Sequence, residues 1–316
     1  MAELLIGTDH GVWRLEPDGN IRQEEGPPAV AFMTHAYEGV LALTKEGSLW
    51  RRGAGDGWCL VHEHPVAEDV WGLAADPRVP GRLYLGVSPA MLYWSDDGGA
   101  GWRACEAIRR IPGYESWTFP PPPHIPHVRS VAPDPQVVGA VYIGVEEGGI
   151  YRSADRGETW ESLNEGLYWD VHTVTPAPGG TQLYATTGRG FYRSDDGGRH
   201  WQLFMSGLDR RYTVPLVASR QQPGRLYTAA AASSPPGWRQ DANAALYRSD
   251  DGGEHWNRLE QGLPARFDVM VRQIAIDDTD TVYIAAGPEL FVSQDEGDNW
   301  RRLTGGLPTV QALAVV

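Results

Sequence analysis

The stretch YRSDDGGRHW at 192–201 returns almost unchanged as YRSDDGGEHW at 247–256. Reduced to its shared positions, the pattern Ser-x-Asp-x-Gly-x-x-Trp runs from Ser95 to Trp102, Ser153 to Trp160, Ser194 to Trp201, Ser249 to Trp256 and Ser293 to Trp300. Copies follow short aromatic runs such as LYRS, IYRS and FYRS and precede others such as WNRL, WESL and WQLF, which places them at the turn of a hairpin. There the aspartate, and more weakly the serine, can accept hydrogen bonds from backbone N–H groups, and the glycine can take positive φ. The tryptophan leaves the turn as a large apolar anchor for a neighbouring sheet. The motif therefore reads as a staple for a turn, with a structural duty.

A worn copy, RRGAGDGW at 51–58, keeps Gly55 and Trp58, and LEPDGN at 15–20 keeps only Asp18-Gly19, which makes seven units. From Trp58 onward the tryptophans are 44, 58, 41, 55 and 44 residues apart, close to the ~40–50 residues of a four-stranded propeller blade. Each unit shows a first strand such as VRSVAPDP, a second such as VYIGVE, a third such as GIYRS, and a fourth starting at tryptophan. LLIGT at the N-terminus reads as a second strand and VQALAVV at the C-terminus as a first strand. The two ends then complete one blade and leave no open sheet edge. The expectation is an all-β, seven-bladed β-propeller of four-stranded antiparallel blades, one domain over residues 1–316.

The repeated motif resembles the Asp-box, or BNR, repeat, and the chain resembles the Asp-box β-propellers. That superfamily includes sialidases, xyloglucan-degrading hydrolases, sortilin-type receptors and a photosystem assembly factor. The runs FPPPPH (119–124), PHVR (126–129) and GVEEGG (144–149) resemble a group of bacterial stand-alone propellers called sialidase-like or glycosyl-hydrolase-like by fold. The resemblance implies a propeller whose boxes lie away from any reactive centre, and it points to His127, Arg129 and Glu146. A sialidase would carry an aromatic-Arg-Ile-Pro segment near the N-terminus. Here Arg110-Ile111-Pro112 follows an arginine and comes after the first intact box, so the chain is not read as a typical sialidase.

Composition narrows the partners. Lysine and arginine number 27 against 41 acidic residues, a net charge of −14, which disfavours nucleic acid and anionic membrane as partners. Two cysteines, Cys59 and Cys105, imply no disulfide framework and are expected as thiols. The opening MAELLIGTDHGVW has no basic stretch followed by a long apolar run, so the cytoplasm is the expected compartment.

Loop lengths locate a candidate site. From box tryptophan to the next first strand the distance is 12 residues for Trp58 to Val70 and 11 for Trp160 to Val171, but 26 for Trp102 to Val128. From second-strand tyrosine to box serine it is 11 for Tyr84 to Ser95, but 22 for Tyr227 to Ser249. Both long connections are of the types that emerge opposite the boxes, and long loops on one end of a rigid scaffold are where binding and catalysis concentrate. The first offers Tyr114, Trp117 and Phe119 to cover a ligand, and the second Trp238, Arg239 and Asp241.

On the same face, the starts of the first strands align Trp71, Arg129, His172, Val214, Arg272 and Gln311. Asp69, His127, Asp170 and Tyr212 come just before, and second-to-third turns add Asp9, His10, Glu146, Glu147, Arg189 and Glu289. Arg129, Arg272 and Arg189 suit an anionic or polyhydroxylated small molecule, since guanidinium groups bind carboxylate or phosphate in bidentate fashion. Glu146, His127, His172 and Asp170 are the candidates for acid–base work in a hydrolase or lyase. His127, His172 and His10 are the candidate ligands for a divalent metal. No cofactor is otherwise indicated. The alternative is a non-catalytic scaffold that recognises a protein or glycan through Tyr114, Trp117 and Trp238.

Overall fold

The computed structural model describes residues 2–53, 55, 57–235 and 237–316, and of Thr304 and Gly305 the backbone alone. Ala54 and Asp56 of the worn repeat copy and Pro236 of the second long loop lie outside the described residues.

Seven four-stranded antiparallel sheets follow one another along the chain. Their innermost strands are Val310–Val315 in blade 1, then Val30–Ala36, Asp69–Ala75, Val128–Pro133, Val171–Pro176, Tyr212–Ala218 and Val271–Ile276 in blades 2 to 7. These seven strands touch one another around the ring. Blade 1 is built from both ends of the chain, with Leu4 opposite Val315 and Thr8 opposite Val310, so the ring is closed by hydrogen bonds. Second strands such as Val141–Val145, Leu183–Thr187 and Val282–Ala286 are buried throughout. They lie sandwiched between neighbouring blades, which is why they are apolar on both faces apart from hydrogen-bonded residues such as Thr186 and Thr187. The core accordingly sits in the seams: Tyr227 and Leu246 of blade 6 pack in one cluster with Val282, Ile284 and Phe291 of blade 7.

The five intact repeats have one geometry. In blade 5, Ser194 Oγ donates to Asp196 Oδ1 at 2.9 Å and accepts from Gly198 N–H at 2.8 Å, and Asp196 Oδ1 accepts from His200 N–H at 3.0 Å. The same bonds recur at Ser95–Asp97, Ser153–Asp155, Ser249–Asp251 and Ser293–Asp295. The staple also joins blades. Trp201 donates its backbone N–H to Glu165 O at 2.9 Å and its indole N–H to Leu163 O at 2.8 Å, both just after the outer strand of blade 4. Trp256 and Trp300 repeat the backbone bond to Ser206 O and Gln261 O. The glycines that follow, Gly166, Gly207 and Gly262, have positive φ, and a Cβ on Gly207 would stand 1.9 Å from the Trp256 carbonyl oxygen. This clasp corrects one boundary. In blades 3 to 7 the fourth strand begins one residue after the tryptophan, and in blades 5, 6 and 7 the tryptophan's N–H is spent on the preceding blade.

Candidate functional site at the channel mouth

Each innermost strand breaks its pairing at the same place. The register skips Ala31, Trp71, Arg129, His172, Arg272 and Gln311 in six blades, and Val214 with Pro215 in blade 6. The residue before the skip is valine in six blades and Thr213 in the other, buried in all but one, Val70 being half-buried. A β-bulge redirects the extra side chain away from the alternation of the strand. Here it turns one residue in each of six blades toward the end of the channel, while in blade 5 His172 turns toward Thr213. Six of these residues, all but His172 and Pro215, line a cavity of about 1480 Å³. Both long loops reach it, through Phe119, Pro120 and Pro121 from one and Ser234, Pro235 and Trp238 from the other, and no residue of the five intact box turns lines it.

One wall is ionic and buried. His127 Nε2 lies 3.0 Å from Glu146 Oε2, and Arg129 Nη1 donates to that same oxygen. Burial alone would raise the Glu146 carboxyl, but Arg129 and the hydrogen bond to His127 outweigh it and bring it down to about 2, so Glu146 stands as an anion. Burial pushes the His127 imidazole below its ordinary value. Its ring stacks on Trp71, with centroids 3.6 Å apart, and meets the edge of Phe119 at 4.6 Å. In the neighbouring blade Asp170 Oδ2 accepts from Tyr212 O–H at 3.3 Å, and His172 stacks on Tyr212 with centroids 4.7 Å apart. His172 Nε2 faces Asp170 Oδ1 at 3.4 Å, and one ligand atom each from Glu146, Asp170 and His172 lie within 4.8 Å of one another.

Across the cavity, the Arg272 guanidinium lies 5.4 Å from the centroid of the Trp238 ring. Among the described residues no carboxylate is within ion-pair distance of it. Arg272 is exposed to the cavity, and the protein packed around it, with Arg129 and Arg239 nearby, holds its pKa below the ordinary arginine value. A guanidinium destabilised in this way in a chain of net charge −14 is a place where an anion would be welcome.

The structure thus brings together Glu146, His127, His172, Asp170, Arg129, Arg272, Trp71 and Trp238. It does not bring in the others. Trp117 is buried, donating its indole N–H to Tyr151 O–H at 3.0 Å, while Tyr114 packs on Trp117 and reaches the Ala90 carbonyl at 3.4 Å. Together they pin the long loop to blades 3 and 4 and leave Phe119 as its aromatic in the cavity. Arg189 is exposed and lies over the Tyr168 ring. His10 is exposed, paired with Asp9 at 3.0 Å, and does not line the cavity. Arg109 is exposed and paired with Glu106, Arg110 is also exposed, and neither lines the cavity. Sequence reading passed over Phe32, Lys45 and Glu46, which together with His64 line the side formed by blade 2. Lys45 and Glu46 occupy the second-to-third turn of that blade, where blade 4 has Glu146 and Glu147, so the repeat alignment could have found them.

No family model matches the chain. A xyloglucanase of a Paenibacillus species is 26% identical over 246 residues, which cover 73% of this chain and 21% of that protein. The chain therefore spans about a fifth of its curated relative. Among solved structures, the GH74 xyloglucanase of Xanthomonas campestris aligns with a TM-score of 0.70 at 17% identity, over 96% of this chain and 52% of that one. YCF48 bound to a D1 peptide aligns with a TM-score of 0.59 at 19% identity, over 86% and 80%. At these identities the shared feature is the propeller fold.

Proposed function

We propose that this propeller binds a small anionic or sugar-like molecule in the channel mouth, and that it acts on that ligand as a hydrolase or lyase. The convergence of Trp71, Arg129, Arg272 and Gln311 from four separate bulges onto one cavity carries the reading. Aromatic faces at Trp71, Phe119 and Trp238 suit the apolar face of a sugar ring. Arg272 suits a carboxylate or phosphate, and the volume exceeds the ~300–1,000 Å³ of drug-sized pockets, so it would admit more than one sugar unit. Glu146, held ionised, fits the role of a stabiliser of developing positive charge. The likeness to xyloglucanases supports a saccharide ligand at the level of fold.

The test is a thermal-shift panel of sugar acids, sugar phosphates and neutral oligosaccharides on the wild type and on Arg272→Ala. At least one anionic compound should raise Tm in the wild type, and Arg272→Ala should lose that shift while keeping its own Tm, because no ion pair is broken. A panel with no wild-type shift, or a shift equal in both proteins, removes the reading.

The same rim presents Trp169, 47% exposed, and Ile125, 40% exposed. A protein or glycan docked across the mouth is the second reading. It predicts that Trp169→Ala weakens binding of the partner while Arg272→Ala leaves it unchanged.

A further inference from the structure

His172 is fully buried, and its Nδ1 lies 2.5 Å from the backbone oxygen of Thr213, where the innermost strand of blade 6 breaks its ladder. A carbonyl oxygen only accepts, so Nδ1 carries the hydrogen, and in a neutral ring Nε2 then presents a lone pair. That lone pair faces Asp170 Oδ1 at 3.4 Å, and neither atom has a hydrogen-bond partner although both are buried. Two acceptors directed at each other in a dry pocket are unfavourable unless something positive lies between them. Glu146 is 4% exposed and completes the set, and the two hydrogen bonds described on it both fall on Oε2.

We infer that Glu146, Asp170 and His172 hold a divalent transition-metal ion, with zinc the best fit, and that its remaining coordination position opens into the channel mouth. Ligands at about 2.0–2.2 Å from a tetrahedral zinc stand about 3.4 Å from one another, which is the His172–Asp170 separation already present. Three protein ligands with one open position is the pattern of zinc sites that bind water or substrate, in contrast to closed structural sites. The outer contacts agree with it. The Thr213 carbonyl orients the imidazole, Tyr212 O–H holds the other oxygen of Asp170, and His127 and Arg129 hold Glu146. Such partners fix the tautomer and direction of metal ligands. Glu146 and Asp170 themselves line the cavity, so an ion has a path in. His10, the third histidine expected from sequence, has no part in this site.

The inference does not depend on the ligand reading, since metal uptake can be measured with no organic molecule present. Purified chain is stripped with EDTA and dialysed against Zn²⁺ alone, and against Co²⁺ alone for its visible spectrum. The expected result is one zinc per chain with a rise in Tm, and Co²⁺ bands of low-coordinate type. Tyr212→Phe, which removes only the support to Asp170, should weaken affinity about 10–100-fold, and His172→Gln should abolish binding. An exposed cluster of Asp251, Glu254 and His255 is the second group of described residues with suitable spacing. His255→Gln must therefore leave uptake unchanged. A wild type that takes up no ion, an ion lost in His255→Gln, or unaltered affinity in both Tyr212→Phe and His172→Gln overturns the assignment. Should His172→Gln not fold, Tyr212→Phe and His255→Gln decide it.

Discussion

Trp71 and His127 come from different blades, and their rings lie 3.6 Å apart at an interplanar angle of 21°. Trp71 is the bulged residue of blade 3, while His127 precedes the innermost strand of blade 4 and reaches Glu146 at 3.0 Å. The stack makes the orientation of a buried imidazole depend on an aromatic side chain that also faces the cavity. Trp71→Ala should lower stability by about 1–3 kcal/mol, from the loss of two aromatic pairs at roughly 0.5–1.5 kcal/mol each. It should also reduce ligand-induced thermal shifts, and Trp71→Phe should restore most of both. Chemical denaturation and thermal shift on the three proteins check this, and full ligand response in Trp71→Ala counts against a role for the stack.

The clasp between blades predicts a sharp difference between two glycines. Gly207 has φ +84°, and its Cβ would fall 1.9 Å from the Trp256 carbonyl oxygen, whereas Gly306, at φ +113°, has nothing within 4 Å. Gly306→Ala should cost about 1 kcal/mol, the strain of a left-handed backbone alone. Gly207→Ala should cost about 3 kcal/mol or more, because the seam between blades 5 and 6 must also open. Urea unfolding of the two variants measures the gap, and equal costs would show that the tryptophan clasp is loose.

Acid should unfasten the turns. Hydrogen bonds hold the carboxyls of Asp97, Asp196 and Asp295 below the ordinary aspartate value, and at Asp155 a small burial cost is outweighed by bonds from Thr159 and Ser153 to the same effect. At Asp251 a small burial cost is outweighed by bonds from His255 and Ser249, which bring it to about 2. A carboxyl lowered on folding adds stability above its unfolded value of roughly 3.9 and loses that stability as pH falls through its folded value. Tm should therefore drop steeply between about pH 4 and pH 2. Asp251→Asn should start from a lower Tm at pH 7 and fall less over that window, as differential scanning calorimetry can show.

The two thiols should separate cleanly. Cys59 is exposed and Cys105 is buried in the native chain, and burial, with Glu158 and Glu106 nearby, pushes the Cys105 thiol up to about 12. The thiolate is the reactive form. One thiol per chain should react with Ellman's reagent at pH 8, and the second only after unfolding in urea. Two fast equivalents in the native protein would contradict the packing of Cys105 against the Gly157 turn.

Much of the site was legible once the repeats were aligned. Trp71, Arg129, His172, Val214, Arg272 and Gln311 stand at one position of the repeat, and that position is the bulge. Alignment could not tell that His172 would turn into the seam toward Thr213 while its equivalents face the cavity. Nor could it separate Phe119 from Tyr114 and Trp117, since all three sit in one aromatic, proline-rich loop. Burial against Tyr151 and Ala90 decides which of them is structural, and those contacts are set by blades on either side of the loop.

The amino-acid sequence by itself determined the blade number, the closure of the ring by its two ends, and the face on which the long loops emerge. Those properties follow from the period at which short-range bonds such as Ser194 to Asp196 recur and from which strand of a blade each end of the chain supplies. The meeting of Glu146, Asp170 and His172 was decided only by the tertiary structure. It depends on how the Glu146 turn of blade 4 packs beside the first strand of blade 5 and on the direction the bulge gives His172, and neither is encoded in spacing along the chain.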